Sequence, residues 1–448
     1  MVLIAGGATR VINCEIGDDL AGMLNLKGER VCEWIHDDLE ANAFFISDEQ
    51  ESLLLISCDL LGLEKGFIDG IASIIEAKVK IPAKNIIVCC THTHNGPHTF
   101  QTVPNIPPNE KYLERLKKWL VDLAEEAVSS AKPARIGWAL GHAQIGYNRR
   151  VCWENGSHTM YGDTSRPDFT GLEGPDDPSH TILFAVNEKN EILALALNNS
   201  CHPVVFCAHN FVSADFPGIT RSFLRSVIGS KIPILYLQGA SGDISPWNLL
   251  DPSSYLRLIE RNAAERLAKK IGFLLTAETL RLIDEAKLSD KLAIRSRHED
   301  INIAVRMPTE EELAHAREVV EMSVEKAGRW DYVLQYSILR LYEEFKEKPF
   351  DTIPIHVARV GDFAIATNPC ELYCQFGLDI KRRSPAKVTA VVQLANGCSG
   401  YCPTAYGILG GGYSGDKLFW CRLEPFAGYR IVEVTTKLLY QIWKNQHC

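Results

Sequence analysis

Apolar runs and helical patterns alternate along the first third of the chain. The segment SLLLISCDLLGL (Ser52–Leu63) predicts a buried strand, Phe67–Val79 has helical spacing, and Ile86–Cys90 predicts a second buried strand. A strand, a helix and a strand in this order form a βαβ unit with parallel strands. Tyr112–Val128 repeats its apolar residues at helical spacing, and residues 134–140 predict the next strand. This alternation predicts an α/β fold of layered mixed sheets with helices.

The middle of the chain predicts a hairpin, a helix and a strand. The segment HTILFAVNEKNEILALALNN, residues 180–199, has two apolar arms that meet at a polar turn around Lys189-Asn190. A helix is expected to open near Asp215–Pro217, where an acid and a proline favour a first turn. The strand PILYL, residues 233–237, then leads into the loop QGASGDISP.

The last 200 residues add a helix-rich region and further strands. Tyr255 to Lys348 is dominated by helical patterns, with one strand-like stretch from Leu292 to Val305, and predicts an insertion or cap. Residues 353–369 predict a hairpin with its turn at Gly361-Asp362, and residues 387–397 predict one more strand. Without an internal repeat or a low-complexity linker, the pattern favours a single domain over residues 1–448.

Composition and charge narrow the class of protein. The net charge of -9 is spread along the chain without Lys/Arg clusters, which argues against nucleic acid and anionic lipid as partners. No apolar stretch is long enough for integral membrane association. We expect a small-molecule substrate, and a homo-oligomer remains possible. The N-terminus lacks the pattern of a signal peptide, and the 14 cysteines are scattered without a CxxC motif. These features predict a cytoplasmic protein with reduced cysteines.

Several polar residues follow the predicted strands at the points where the strands end. His92, His202, Asp243, Glu371 and Tyr401 each lie one to a few residues beyond such an end. In α/β sheets the carboxyl ends of the strands are where ligands bind, because the loops there converge over one edge. The sequence therefore predicts a common site at the C-terminal ends of the strands.

The segment THTHNGPHT suggests what this site binds. His92 and His94 are two positions apart, so in an extended segment they share one face and could address one ion or one substrate. Each residue also has an ordinary structural explanation on its own. His202 could be a satisfied core histidine, Glu371 an acid in the first turn of a helix, and Tyr401 a turn tyrosine.

Taken together in this order, the motifs THTHNGP, NNSCHPVVF, SADFPG, QGASGDISP, NPCELYCQFG and NGCSGYCPT resemble the catalytic domain of the neutral/alkaline non-lysosomal ceramidase family. The resemblance runs from the opening strand to about Thr404. It implies a zinc ion on His92, His202, Glu371 and Tyr401, and an activated water that hydrolyses an N-acyl amide. Two histidines and a carboxylate with an open position are independently a suitable set for hydrolytic zinc.

The same resemblance implies roles for neighbouring residues. It places His94 beside the substrate, where it could stabilise an oxyanion or move a proton, and Arg149 near the metal as a fixed cation. Tyr401 could also act as an acid, and Asp243 is a further catalytic candidate because of its position after a strand. The candidate substrate-binding residues are Asn148, Gln238, Ser241 and Tyr406.

Two departures from the family modify the expected substrate. Ceramidases have a serine shortly before the GD step, where this chain has Gln238 or Gly239, and Ser241 and Ser245 are displaced. The long ceramidases also continue into a C-terminal β-sandwich domain, whereas this chain stops at Cys448. We therefore expect a zinc-dependent hydrolase of a soluble amide rather than of ceramide. The alternatives are a zinc-dependent lyase or isomerase acting on a carbonyl or sugar, and a metal-binding protein without turnover.

Overall fold

Three mixed sheets and the helices that cover them form the framework of the chain. The computed structural model describes residues 3–26, 28–102, 104, 106–251 and 261–444. In these residues the strands are β1 (Ile4–Val11), β2 (Trp34–Ile35), β3 (Glu40–Ser47), β4 (Ser52–Cys58), β5 (Ile86–Cys90), β6 (Lys132–Pro133), β7 (Arg135–His142), β8 (Tyr147–Asn148), β9 (Arg150–Trp153), β10 (His158–Met160), β11 (Phe169–Leu172), β12 (Ser179–Val186), β13 (Ile192–Asn199), β14 (Phe211–Val212), β15 (Ile234–Gln238), β16 (Ile244–Ser245), β17 (Ile294–Ala304), β18 (Phe350–Val360), β19 (Phe363–Thr367), β20 (Cys370–Leu372), β21 (Val388–Val392) and β22 (Gly400–Cys402). The α-helices are α1 (Lys65–Val79), α2 (Glu110–Ser129), α3 (Asp215–Ile228), α4 (Arg261–Glu285), α5 (Glu310–Glu321), α6 (Val324–Ala327), α7 (Arg329–Phe345), α8 (Cys374–Arg383), α9 (Ala405–Gly410) and α10 (Ala427–Lys444).

The three large sheets share one order of elements. Their strand orders are β5-β4-β3-β1-β6, β15-β13-β12-β7 and β17-β18-β19-β21. In each unit three successive sheet strands pair antiparallel, and the third is connected through a helix to a strand that pairs parallel with it. The crossover helices are α1, α3 and α8. A later helix of each unit, α2, α4 or α10, packs on the same outer face.

The inner faces of the three sheets enclose one shared hydrophobic core. Phe44 of β3, Leu183 of β12 and Ile365 of β19 all belong to it. The next residue of β3, Phe45, points the other way and packs among α1 and α2. Because both faces of these strands are covered, their sequences are almost continuously apolar, as is typical of buried sheets. The fold class is therefore the predicted α/β arrangement of layered mixed sheets.

Element boundaries differ from the sequence expectation at one informative point. The strand predicted for Ser52–Leu63 ends at Cys58, and the chain then turns. The side chain of Asp59 accepts a hydrogen bond of 2.8 Å from the backbone of Glu40 and is paired with Arg221. This buried ion pair lies at the start of the turn that connects β4 to α1. Ile86–Cys90, by contrast, forms a strand with the predicted bounds.

The region from Tyr255 to Lys348 is divided between the framework and a separate group of helices. Residues 255–260 lie outside the described residues. Helix α4 packs its apolar face against β7, β12 and α3, and β17 pairs with β18 along its whole length. Helix α4 and strand β17 therefore belong to the framework of sheets and covering helices. The prediction of a cap remains for α5 to α7, which contact each other.

Two further expectations concern membranes and cysteines. Within the described part of the chain, the helices are too short or too polar to cross a membrane. The cysteines of that part are free thiols, and most are buried.

Candidate metal and active site

The loops after the framework strands bring four of the predicted residues together. His92 follows β5, His202 follows β13, and Glu371 lies on β20 after β19. Tyr401 lies on β22, directly opposite Glu371 in the parallel β20–β22 pair. These residues therefore meet at one edge, as predicted, and each of the three large sheets contributes at least one of them.

The ring of His92 is fixed by the loop that follows β4. Its Nδ1 donates a hydrogen bond of 2.6 Å to the carbonyl of Leu61, and its backbone NH bonds to Leu60 at 2.9 Å. The residue has φ +69°, a left-handed conformation that costs about 1–3 kcal/mol outside glycine. Since Nδ1 is the donor, Nε2 of the neutral ring presents a lone pair.

His202 is fixed in the same manner by a different loop. Its Nδ1 donates a hydrogen bond of 2.8 Å to the carbonyl of Ser241. One guanidinium nitrogen of Arg149 lies 3.3 Å from both ring nitrogens. Burial, with the nearby Arg149 and His92, lowers the pKa of His202 to about 3. The ring is therefore neutral near pH 7, which is the form that binds a metal ion.

The carboxylate of Glu371 lies next to the rings of both His92 and His202. Its Oε2 lies 3.4 Å from Nε2 of His92 and 3.3 Å from Nε2 of His202, yet it has no hydrogen-bond partner among the described residues. Burial would raise the pKa of Glu371, whereas His92 and His202, when protonated, would outweigh burial and hold the pKa well below its usual range. Two nitrogen lone pairs and a carboxylate oxygen converge at a buried point, which is the donor set that a divalent metal ion needs.

His94 is close to both rings but is held differently. One ring nitrogen from each of His92, His94 and His202 lies within 4.8 Å of the others, so these three could also hold a metal ion. Both ring nitrogens of His94 are buried without a hydrogen-bond partner in the described structure. Burial, His92 and His202 lower the pKa of His94 well below its usual range. A Cβ on Gly22 would lie 2.6 Å from His94, so glycine is required there.

Arg149 and Tyr401 form a pair beside the three histidines. The guanidinium of Arg149 donates to the Tyr401 hydroxyl at 3.2 Å, to the Tyr161 hydroxyl at 3.1 Å and to the carbonyl of Gly242 at 2.8 Å. Burial and the nearby Glu371 raise the pKa of the Tyr401 hydroxyl, so this phenol remains protonated near pH 7. The site therefore offers a fixed cation and a hydroxyl next to the converging donors.

A cavity of about 430 Å³ opens above this group. We call His92, His94, Glu371 and Tyr401, which line it, the cavity floor. We call Arg340 and Glu344 of α7, with Lys348, the cavity rim. Further charged residues of both signs line the same cavity, together with an aromatic wall that includes Phe100, Phe345, Phe419 and Trp420.

Arg340 is the most enclosed charge of the cavity rim. Its guanidinium carbon lies 3.6 Å from the ring centroid of Phe419. One guanidinium nitrogen bonds to the carbonyl of Gln101, and another lies 3.5 Å from the carboxylate of Glu344. Glu344 is half exposed, so it neutralises Arg340 only partly.

Other predicted residues lie outside the lining of the cavity. Asp243 accepts hydrogen bonds from the Asn148 side chain at 2.9 Å and from the backbone of Cys374, the first residue of α8, at 2.7 Å. Burial raises the pKa of Asp243 to about 7. Gln238 and Ser241 bond to each other at 2.6 Å beneath His202.

Tyr406 lies on α9 with more than half of its surface exposed, and its ring contacts that of His158.

Two residues near the metal-ligand candidates were not identified from the sequence. Tyr413 lines the cavity with its ring 5.8 Å from that of Tyr401, and Gln393 lies under Ser241. The glycine-rich run around Tyr413 could have pointed to this tyrosine in the sequence. No sequence pattern points to Gln393.

Comparisons with known proteins bear on the fold. No family model and no curated protein sequence matches the chain. Among solved structures, the neutral ceramidase from Pseudomonas aeruginosa superposes with a TM-score of 0.75 and 18% sequence identity, covering 99% of this chain and 75% of that one. A ceramidase complexed with C2 gives a TM-score of 0.75 at 17% identity, covering 99% and 76%. The resemblance predicted from the motifs is thus confirmed at the level of the fold.

Proposed function

The chain has the ceramidase fold, and from this premise we propose that it is a zinc-dependent hydrolase that cleaves the amide bond of a small polar molecule. The observation that carries the proposal is the convergence of His92, His202 and Glu371 at a buried point beside the cavity. Two imidazoles and one carboxylate are a frequent ligand set of hydrolytic zinc sites.

We assign the metal to His92, His202, Glu371 and Tyr401. Metal-binding histidines almost always donate their second ring nitrogen to a carbonyl, a carboxylate or water, which fixes the tautomer. His92 and His202 have such a bond to a backbone carbonyl, whereas His94 has none. This difference favours His94 as a group that meets the substrate. Zinc, when bound, would supply Lewis acidity that lowers the pKa of a water molecule to about 7 and polarises a carbonyl.

The residues of the chain account for the remaining steps of amide hydrolysis. His94 accepts a proton from the attacking water and returns it to the amide nitrogen as the carbon–nitrogen bond breaks. The Arg149 guanidinium and the Tyr401 hydroxyl, 3.2 Å apart, stabilise the negative charge that develops on the carbonyl oxygen. Asp243 helps to position Arg149, since the backbone NH of Arg149 donates a hydrogen bond of 2.8 Å to the carbonyl of Asp243. Asn148 in turn donates a hydrogen bond to the side chain of Asp243.

The charged residues in the lining of the cavity support a substrate with a polar part. Glu64, Arg340, Glu344 and Lys348 line the cavity, and burying a long acyl chain against them would cost their hydration. The aromatic wall still offers apolar contact to a short acyl or aryl group. We therefore propose a substrate with a modest apolar part and a polar part facing the cavity rim.

The test is a comparison of hydrolysis of polar N-acyl amides with that of a short-chain ceramide. We expect release of the acid and the amine, incorporation of one ¹⁸O from labelled water into the acid, and a rate at least about tenfold higher for the best polar amide. Activity should disappear with a chelator and return with zinc. Turnover without ¹⁸O would contradict hydrolysis and favour a lyase or isomerase. A purified protein that binds no zinc would overturn the metal assignment.

A further inference from the structure

The segment Gln393–Asn396, directly after β21, is hydrogen-bonded to three strand ends that lie next to the proposed ligands His92, His202 and Glu371. Its backbone hydrogen bonds of 2.9, 3.2 and 3.0 Å join it to Gln238 at the end of β15, to Cys90 at the end of β5 and to Asn368 after β19. His202 is bonded to the first of these loops, His92 follows the second, and Glu371 follows the third. We call Gln393–Asn396 the junction segment.

The backbone of the junction segment is held in an unfavourable conformation. Leu394 has φ +52° and Asn396 has φ +56°, although neither is glycine. The side chain of Asn396 accepts a hydrogen bond of 2.8 Å from the backbone of Val88 and donates one of 3.1 Å to the carbonyl of Ile86. Left-handed residues persist where their surroundings over-determine them, and they are concentrated at functional sites.

The side chain of Gln393 is directed at one residue, Ser241. Its Oε1 accepts a hydrogen bond of 3.0 Å from the Ser241 NH, and its Nε2 donates one of 3.1 Å to the Ser241 hydroxyl. Gln238 donates to the same hydroxyl at 2.6 Å. Gln393 is fully buried, so these bonds are not exchanged with water.

The carbonyl of Ser241 is the group that accepts from His202 Nδ1 at 2.8 Å. Since Gln393 holds both the NH and the hydroxyl of Ser241, it limits the rotation of that residue and hence the direction of its carbonyl. We propose that Gln393 is a positioning residue that orients His202 for the metal ion through Ser241. This inference rests on the proposed function, because it takes His202 as a metal ligand.

The test measures metal binding, which a purely structural glutamine would not affect. The variants are Gln393→Met, which keeps the volume and removes both hydrogen bonds, and Gln393→Glu, which keeps an acceptor for the Ser241 NH. Gln375→Met on α8, whose amide bonds to Asp379 instead, is the matched control. The zinc dissociation constant is measured by chelator competition, the ligand geometry by the absorption of the cobalt-substituted protein, and folding by the melting temperature of the metal-free protein.

We expect Gln393→Met to weaken zinc binding about 10- to 100-fold and to change the cobalt spectrum, with Gln393→Glu intermediate and Gln375→Met like the wild type. Wild-type affinity and an unchanged spectrum in Gln393→Met would overturn the inference and leave the proposed function intact. Loss of folding in both Gln393 variants would also overturn it, because the amide would then serve the fold. Absence of zinc binding in the wild type would overturn both.

Discussion

The cavity floor and the cavity rim are built in opposite ways. His92, Glu371 and Tyr401 of the floor are buried residues on or just after strands, and the backbone fixes the ring of His92. Arg340 of the rim lies on a helix of the separate α5–α7 group and is held by a stacked ring, by the carbonyl of Gln101 and by one half-exposed carboxylate.

Under the proposed function, we expect the cavity floor to carry out the reaction and the cavity rim to select the substrate. A metal site requires its donors to be placed within a few tenths of an ångström, which strand ends anchored in a shared core can provide. Substrate choice tolerates more variation, and helices and loops outside the core can change without disturbing the framework. We therefore expect substitutions in the floor to act on metal binding and kcat, and those in the rim to act on KM.

The largest effect is expected for His202→Ala. Removal of this imidazole takes away one nitrogen donor and leaves Glu371 with one imidazole fewer, so zinc binding and activity should fall below detection. Zinc content by elemental analysis and activity with added zinc measure this. His180→Ala is the control, since His180 is also fully buried near the end of the same sheet but bonds to Asn199 and Thr279. A zinc-replete His202→Ala protein would remove His202 from the ligand set.

The next effect is expected for His94→Ala. Because His94 lacks a bond to a backbone carbonyl, we expect the variant to keep its zinc and to lose about 10²-fold or more in kcat. His98→Ala, a change in the same loop away from the cavity, should keep both properties. If His94→Ala instead lost zinc, His94 would be a ligand, and the roles of His92 and His94 would have to be reassigned.

A smaller effect is expected for Arg340→Met at the cavity rim. Loss of one charge-assisted contact to the substrate is worth about 1.5–3 kcal/mol, so KM should rise about tenfold or more while kcat stays within about threefold. Arg317→Met on the exposed face of α5 is the control. Steady-state kinetics on a polar amide separates the two constants. A fall in kcat with KM unchanged would show that the rim takes part in the chemistry.

The smallest effect is expected for Ser241→Ala. Its hydroxyl accepts from Gln238 and Gln393 outside the cavity lining, so it is not placed to attack a substrate. The variant keeps the bond from the residue 241 NH to Gln393, and we expect activity within about an order of magnitude of the wild type. Loss of turnover with folding and zinc content unchanged would restore a serine nucleophile in the GASGD loop.

Much of the framework was predictable because its signals are local. The strand Ile86–Cys90, the hairpin around Lys189-Asn190, the helix from Asp215 and the turn at Gly361-Asp362 all follow from apolar periodicity and turn residues. The end of β4 was not predictable, because Leu60, Leu61 and Leu63 are as apolar as the strand itself. Directly after the strand, Asp59 is paired with Arg221, which lies far away along the chain.

The candidate site was predictable in part. The motifs pointed to His92, His202, Glu371 and Tyr401, and the structure brings these side chains together. Gln393 could not be found from the sequence, since an isolated glutamine after a strand has no distinctive pattern. Its significance depends on the position of Ser241, which lies 152 residues earlier.

The sequence by itself determined the alternation of buried strands and amphipathic helices and the placement of reactive side chains just beyond strand ends, since both depend on neighbours within a few positions. The tertiary structure decided which strand ends meet. Three units with the same order of elements enclose one core, although no repeat is visible in the sequence, because burial requires apolar periodicity rather than particular residues. It also decided which ring nitrogen of His92 and of His202 faces the carboxylate of Glu371. That choice depends on the carbonyls of Leu61 and Ser241, which only the folded chain places within hydrogen-bond distance of His92 and His202.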